Sequence, residues 1–233
     1  MRHLTLIFLL TFGQTHGQKK QCHCDKETSM NGATSNCKTT ILKNKSKLYW
    51  QYNCNRIWLT LENSIGKKTI IDEVEVELFG YTYRLGFHLI KEFDKTLLFR
   101  SGCPASGPCF YTLIDKTTGE KIKEFDQLIC IDTDLQWSNS HKYTFNFVVS
   151  LSSDFKHLII YYINSKKTLT VPFNEHLTNP VPQHEFDDMT LKDNWLTLHL
   201  TSEDKKGRII NINLDDKKYS RQHSIVASGG GRK

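Results

Sequence analysis

A strand-like run followed by a polar turn recurs along this chain, and that recurrence constrains the fold more than any other feature. The stretch FYTLIDKTTGEKIKEF, residues 110–125, holds two such runs, and Gly119 near the end of its turn suits a type I turn followed by a left-handed residue. Runs of β-branched and aromatic residues between polar, glycine-containing turns are typical of antiparallel hairpins. The sequence therefore predicts an all-β fold.

Four copies of this strand–turn–strand unit can be aligned on one apolar position each. The anchors are Ile57, Leu97, Leu158 and Leu196, which are separated by 40, 61 and 38 residues. Periods of this size with strand–turn–strand content are typical of β-propeller blades and related arrays. The 61-residue spacing predicts an insertion or a divergent extra unit around Cys130–Phe147.

The stretch LIDKTTGEKI, residues 113–122, resembles the strand–turn–strand element of quinoprotein-like and WD-like propellers. The resemblance implies a propeller-like array of hairpins. The chain has neither a Trp-Asp nor a Gly-His signature, so no functional residue carries over from those families. The expected fold is all-β, with antiparallel strands in four repeated hairpin units arranged like a propeller. A β-sandwich stays open as the alternative, because hairpins look alike in any antiparallel architecture.

The N-terminal segment has the layout of a secretory signal peptide. Arg2 and His3 precede the apolar run Leu4–Phe12, and small or polar residues follow up to Gln18. The run is too short to span a bilayer, and no later segment is long and apolar enough to do so. We expect cleavage near Gly17 or Gln18 and a secreted, periplasmic or cell-envelope location.

The sequence predicts four segments. They are a signal peptide, a disulfide-tethered N-terminal arm, a single all-β domain and a flexible tail, at residues 1–18, 19–47, 48–226 and 227–233. A β domain of this length can bury a sizeable core. Composition agrees with strands, because the chain has only three alanines beside many Thr, Ile, Phe and Tyr residues.

Seven cysteines lie in the first 130 residues, and in an exported protein they should oxidise where geometry allows. Cys103 and Cys109 enclose the tight PASGP loop between two strand-like runs, so we predict a disulfide between them. In the loop-closure model this bridge stabilises the fold by about 2 kcal/mol. Pairing of the remaining cysteines cannot be read from the sequence, and their odd total leaves one thiol free or paired between chains. These are Cys22, Cys24, Cys37, Cys54 and Cys130.

The sequence carries no local signature of catalysis. It has no Gly-x-Ser-x-Gly elbow and no phosphate-binding glycine loop. We therefore predict no catalytic residue, no metal and no cofactor, although carboxylates could still meet from distant strands. The formal net charge of +6 is spread among acidic residues and not gathered in a basic stripe, so nucleic acid is not an expected partner.

The candidate binding residues are the clustered aromatics Tyr49, Trp50, Tyr52 and Trp58. In a strand, alternation places Tyr49 with Gln51 on one face and Trp50 with Tyr52 on the other. Exposed aromatics are typical of protein or carbohydrate contacts, whereas buried ones fill a core. The sequence thus predicts an exported, non-catalytic β domain that binds a protein or glycan partner. The alternatives are a structural subunit of a surface assembly and a secreted hydrolase.

Overall fold

A computed structural model gives the fold and describes residues 39–52, 56–75, 78, 85–103, 109–126, 128–129, 146–179, 181–202, 207–215 and 218–222. The described strands form four antiparallel sheets, each built from consecutive strands of the chain. This confirms the all-β prediction and is compatible with a propeller-like array. The predicted signal peptide, most of the predicted arm and the predicted tail lie outside the described residues.

The first and second sheets each contain four strands in sequence order. The first sheet consists of β1 (Thr40–Ile41), β2 (Lys47–Tyr52), β3 (Arg56–Glu62) and β4 (Lys68–Glu75). The second sheet consists of β5 (His88–Glu92), β6 (Thr96–Ser101), β7 (Phe110–Asp115) and β8 (Lys121–Asp126).

Among the described residues, the third sheet has three strands and the fourth has four. The third sheet consists of β9 (Phe147–Leu151), β10 (His157–Tyr162) and β11 (Thr168–Pro172). The fourth consists of β12 (Phe186–Lys192), β13 (Trp195–Thr201), β14 (Gly207–Asn213) and β15 (Lys218–Gln222), and a 3-10 helix (Pro182–Glu185) precedes it. Leu128 forms a β-bridge with Ser150 of β9. The bridge lies at the edge of the third sheet where each of the other sheets has its first strand.

Hydrogen bonds between turns gather many hairpin connections at one end of the array, which we call the turn end. Asn63 Nδ2 in the β3–β4 turn donates to Thr117 O in the β7–β8 turn at 3.1 Å. In the fourth sheet, Asn194 Nδ2 in the β12–β13 turn donates to Asp215 Oδ2 at 2.9 Å. The Leu128–Ser150 bridge joins the third sheet to the far end of β8, and antiparallel pairing of β9 with β10 places the β10–β11 turn at the other end, near the β7–β8 turn.

The β2–β3, β6–β7 and β9–β10 connections lie at the opposite end, which we call the loop end. Each of these connections follows a strand that starts at the turn end, because neighbouring antiparallel strands run in opposite directions. Phe110 pairs with Asp126 at this end of the second sheet. Leu128, two residues beyond Asp126, bridges to Ser150, which precedes the β9–β10 turn. The second and third sheets therefore share one loop end.

Two core clusters fill the spaces between the sheets. The first cluster joins Leu59 and Leu61 of the first sheet to Leu97 and Phe99 of β6. The second cluster takes the other face of the second sheet, starting with Leu98, and runs on through the third and fourth sheets. The second sheet is thus packed on both faces.

The four predicted units correspond to four sheets, since each alignment anchor lies in a different one. The anchors do not occupy equivalent strands, however. Ile57 lies in the third strand of its sheet, whereas Leu97 and Leu196 lie in the second strand of theirs. A four-stranded meander contains three hairpins, and the sequence pattern does not distinguish them. Residues 130–145, the place of the predicted insertion, lie outside the described residues.

Candidate functional site

The register of the first sheet brings several polar and aromatic side chains together on its outward side. Tyr49 lies opposite Thr60, and Gln51 lies opposite Trp58. Trp58 in turn lies opposite Glu73 of β4. Directly opposed residues of antiparallel strands point to the same side of the sheet. We call this surface the outer face of the first sheet.

Gln51 is the hydrogen-bond centre of the outer face. Its Oε1 accepts from Trp58 Nε1 at 3.2 Å and from Thr60 Oγ1 at 2.8 Å. One amide oxygen therefore fixes an indole across the strand pair and a hydroxyl beside it. These contacts hold the Trp58 ring in one orientation.

Arg56 covers part of the Trp58 ring and forms an ion pair with Glu73. The guanidinium carbon lies 5.3 Å from the ring centroid, within the range of a cation–π contact. Arg56 Nη1 also lies 3.1 Å from both carboxylate oxygens of Glu73. The indole is half-buried, flanked by a cation and bordered by an acid.

Tyr49 is bound to a charged pair at the other end of the same strands. Its hydroxyl donates to Glu62 Oε2 at 2.9 Å, and Lys47 Nζ donates to Glu62 Oε1 at 3.0 Å. Burial, followed by the hydrogen bond and charge of Glu62, raises the pKa of Tyr49 to about 12. The hydrogen bond from Lys47, followed by that from Tyr49, lowers the pKa of Glu62. The phenol is thus a neutral donor and Glu62 a charged acceptor.

The predicted binding residues divide between the two sides of the sheet, as alternation requires. Tyr49 and Trp58 lie on the outer face. Trp50 points inward and packs, partly buried, against the first core cluster. Tyr52 ends β2 opposite Ile57, and its side chain lies outside the description.

The predicted disulfide between Cys103 and Cys109 is confirmed, with Cα atoms 4.1 Å apart. The other five cysteines lie outside the described residues.

Several residues of the outer face were not found by sequence reasoning as part of the site. Arg56, Thr60, Glu62 and Glu73 belong to it only because β2, β3 and β4 pair in this register. The usable signal was the alternation of RIWLTLE against KLYWQY, but the pairing offset between two such strands cannot be read from either alone.

Carboxylates elsewhere serve the fold. Glu185 is 1% exposed; it accepts N–H groups of Thr178 and Asn179, and its other oxygen lies 2.8 Å from Arg208 Nη2. Glu175 holds Arg208 Nη1 at 3.0 Å. Within the ranges that the structure describes, no group of three or more His, Cys, Asp or Glu side chains could hold a metal ion.

The fold and the outer face define an all-β protein of four consecutive antiparallel sheets with a polar, aromatic terminal surface. In the described part of the chain, no helix has the length and apolar character needed to cross a membrane. No protein-family model matches the chain, and no curated protein matches it.

Three solved structures illustrate what the chain is similar to. A prolyl endopeptidase matches at 10% identity and a TM-score of 0.38, over 76% of this chain and 25% of its own. Puromycin hydrolase matches at 8% identity and a TM-score of 0.37, over 82% of this chain and 29% of its own. TolB from Acinetobacter baumannii matches at 11% identity and a TM-score of 0.29, over 77% and 41%. Likenesses this distant carry no conclusion about activity, substrate or partner, and the fold stands on the sheet topology.

Proposed function

We propose that this chain is an exported, non-catalytic β domain that binds a protein partner through the outer face of the first sheet. The observation that supports this most is the set of contacts around Trp58, which fix a partly exposed aromatic side chain between Gln51 and Arg56. Trp, Tyr and Arg are the residue types that dominate binding energy at protein interfaces. Export is supported by the predicted signal peptide and by the Cys103–Cys109 disulfide.

A protein fits this surface better than a glycan. Sugar rings stack on an open aromatic face, but the Arg56 guanidinium lies over the Trp58 ring. The side chains around it form complementary charge pairs, Arg56 with Glu73 and Lys47 with Glu62. A face with an aromatic centre and paired charges at its rim has the composition of a protein interface.

The test uses the purified mature protein as bait in the extracellular fraction of the organism that produces it. Wild type should retain a specific protein, and Trp58→Ala should lose it. Trp195→Ala is the matched control, because Trp195 is an exposed tryptophan of the fourth sheet. Equal retention by wild type and Trp58→Ala, or no retained protein at all, contradicts the proposal.

A glycan array with the same three proteins distinguishes the other partner class. Glycan binding that depends on Trp58 and not on Trp195 would replace the protein partner by a carbohydrate. N-terminal sequencing of the exported chain tests the other half of the proposal, with a start near residue 18 expected and an intact leader contradicting it.

A further inference from the structure

The chain contains one Asn-X-Ser/Thr triplet whose middle residue is not proline, Asn44-Lys45-Ser46. This triplet is the acceptor sequence for N-linked glycosylation of exported proteins. So short a pattern also arises by chance, and its use therefore depends on export and on where the fold places its side chains.

The fold presents the Asn44 amide to solvent. Asn44 is exposed in the β1–β2 turn, and its Oδ1 accepts from Ser46 N at 3.2 Å. Its Nδ2, the atom to which a glycan would be joined, donates to no described residue. The turn is closed by its own backbone, since Lys45 N donates to Leu42 O and Leu42 N to Ser46 O, both at 2.8 Å. A glycan on Nδ2 therefore breaks no contact of the folded protein.

The Ser46 hydroxyl has no evident role in the folded protein. Ser46 is 0% exposed, and its Oγ has no hydrogen-bond partner within the described part of the chain. A buried hydroxyl without a partner destabilises the folded state, and alanine would occupy the position without that cost. The acceptor sequence, by contrast, requires a hydroxyl at this position.

Burial of Ser46 also determines when the triplet is accessible. In the folded turn the hydroxyl cannot be reached from solvent. The turn completes its contacts only with the second sheet, because Lys43 N donates to Glu92 Oε1, 49 residues later, at 2.8 Å, and Leu42 packs with Leu97. The N-terminal part of a chain emerges first. The triplet is therefore open in the export compartment before the residues that bury it arrive.

From these observations we infer that Asn44 is a site of N-linked glycosylation, modified on the emerging chain during export. The sugar donor is an oligosaccharide joined to a lipid through pyrophosphate. Asn44 Nδ2 forms a bond to the anomeric carbon, and the bond from that carbon to the pyrophosphate oxygen breaks. The lipid pyrophosphate leaves with the electron pair, and Nδ2 loses one proton to a base. The inference rests on the export half of the proposed function and is independent of the partner of the outer face.

The position of Asn44 is compatible with binding at the outer face. Lys47, which begins β2, lies opposite Glu62, which ends β3, so the β1–β2 turn lies at the turn end. Trp58 is four residues from Glu62 along β3, which corresponds to about 13 Å of extended strand. A glycan at the turn end therefore leaves the Trp58 ring open to a partner.

The direct test uses the mature protein purified from the organism that produces it. Peptide N-glycosidase in isotopically heavy water releases an N-linked glycan and converts its asparagine to a labelled aspartate. The intact mass should fall on treatment, and peptide mass spectrometry should place the heavy label at position 44. An unmodified Asn44 peptide in the native protein overturns the inference.

Variants produced with their own leader in cultured eukaryotic secretory cells test the roles of the two side chains. Asn44→Gln and Ser46→Ala should both lose the glycan, whereas Ser46→Thr should keep it. Ser46→Ala should also unfold at a denaturant midpoint equal to or above that of enzymatically deglycosylated wild type, because it removes an unpaired buried hydroxyl. A glycan retained in Ser46→Ala, or a clear fall in its midpoint, contradicts the inference.

A matched turn separates failure of the site from failure of export. Asn164 is exposed in the β10–β11 turn, and Lys166 there has a φ of 55°, close to the 66° of Lys45. Lys166→Ser completes a second acceptor triplet that begins at Asn164. A glycan on Asn164 with Asn44 unmodified would leave export standing and reject this inference. Absence of both glycans together with an uncleaved leader would reject export, and this inference with it.

Discussion

The first and second sheets have the same strand order but opposite relations to solvent. In the second sheet, Leu97, Leu98, Leu113 and Ile114 are all 2% exposed or less, although adjacent residues point to opposite faces. In the first sheet, β3 alternates between buried and accessible positions along most of its length. A sheet that is packed on both faces has apolar residues at consecutive positions of its strands. A sheet that is packed on one face has apolar and polar residues in alternation.

The third and fourth sheets repeat this contrast. All five residues of β9 are buried, whereas β13 alternates strictly. On the outer side of the fourth sheet, Thr197 and Asn211 form a neutral pair, whose side-chain oxygens lie 2.7 Å apart. The first sheet instead places the ion pairs Arg56–Glu73 and Lys47–Glu62 outward. The residues of a terminal face are free of core packing, and here the two terminal faces differ in chemistry.

The largest expected effect lies in the doubly covered sheet. Leu98→Ala should destabilise the protein by about 3 kcal/mol, because it removes buried methyl groups and leaves a cavity. Ile70→Ala on the outer face of the first sheet, where the side chain is 49% exposed, should cost less than about 1 kcal/mol. Denaturant unfolding of both variants measures the difference, and equal losses would contradict the contrast between the sheets.

A buried ion pair provides an effect of similar size. Lys116 is 1% exposed; its Nζ lies 2.6 Å from Glu92 Oε1 and donates to the carbonyls of Phe93 and Asp94. Lys116→Met should cost about 3 kcal/mol, because it leaves a carboxylate and two carbonyls without their cation.

The matched control is Lys121→Met, since Lys121 pairs with Glu124 in the same sheet but is exposed. We expect a change within about 0.5 kcal/mol for this variant. If the two methionine variants unfold at the same denaturant concentration, burial does not explain the contribution of the Lys116–Glu92 pair to stability.

The two sides of the first sheet should respond to pH with opposite signs. Asp72 accepts the N–H of Phe87 at 2.7 Å, and burial raises its pKa from 3.8 to about 6. A raised carboxyl pKa means that the folded state favours the protonated form. The Asp72 contribution is therefore fully present below about pH 4 and is lost as pH rises to about 6, by about 3 kcal/mol. Asp72→Asn should remove this dependence in unfolding measured from pH 4 to 7.

Glu62 on the outer face supplies the opposite case. The hydrogen bonds from Lys47 and Tyr49 lower its pKa, so its contribution is present above its ordinary pKa and is lost as pH falls through the lowered value. Glu62→Gln should reduce the loss of stability at acid pH. Asp72→Asn should reduce the loss of stability between about pH 4 and 6. Curves altered in the same direction by both variants would reject the distinction.

The smallest expected effect concerns the hydroxyl of Tyr49. Tyr49→Phe should change stability by less than about 1 kcal/mol, because one hydrogen bond is lost at a half-exposed site. Ultraviolet titration should at the same time lose a phenol that ionises near pH 12. A wild-type protein whose tyrosines all ionise near pH 10 would contradict the Tyr49–Glu62 contact.

Local sequence was informative where structure depends on neighbouring residues. The strand runs, the turn at Asp115–Glu120 and the Cys103–Cys109 bridge could be predicted because each involves short stretches of chain. The separation of Tyr49 from Trp50 followed from the two-residue period of a strand. The equivalence of the four units could not be assigned, because every hairpin of a meander presents the same pattern.

The candidate site was found only in part for the same reason. The sequence marked Tyr49 and Trp58, but Arg56, Glu62 and Glu73 joined them through strand register.

The sequence by itself determined that the chain forms antiparallel hairpins, where one disulfide closes, and that Tyr49 and Trp50 lie on opposite faces of β2. Backbone geometry and short loops decide these properties over a few residues. Only the tertiary structure decided which sheets are covered on both sides, which carboxyl has a raised pKa and which aromatics share a surface. These properties depend on what packs against a residue, and in this fold the packing partners come from other sheets.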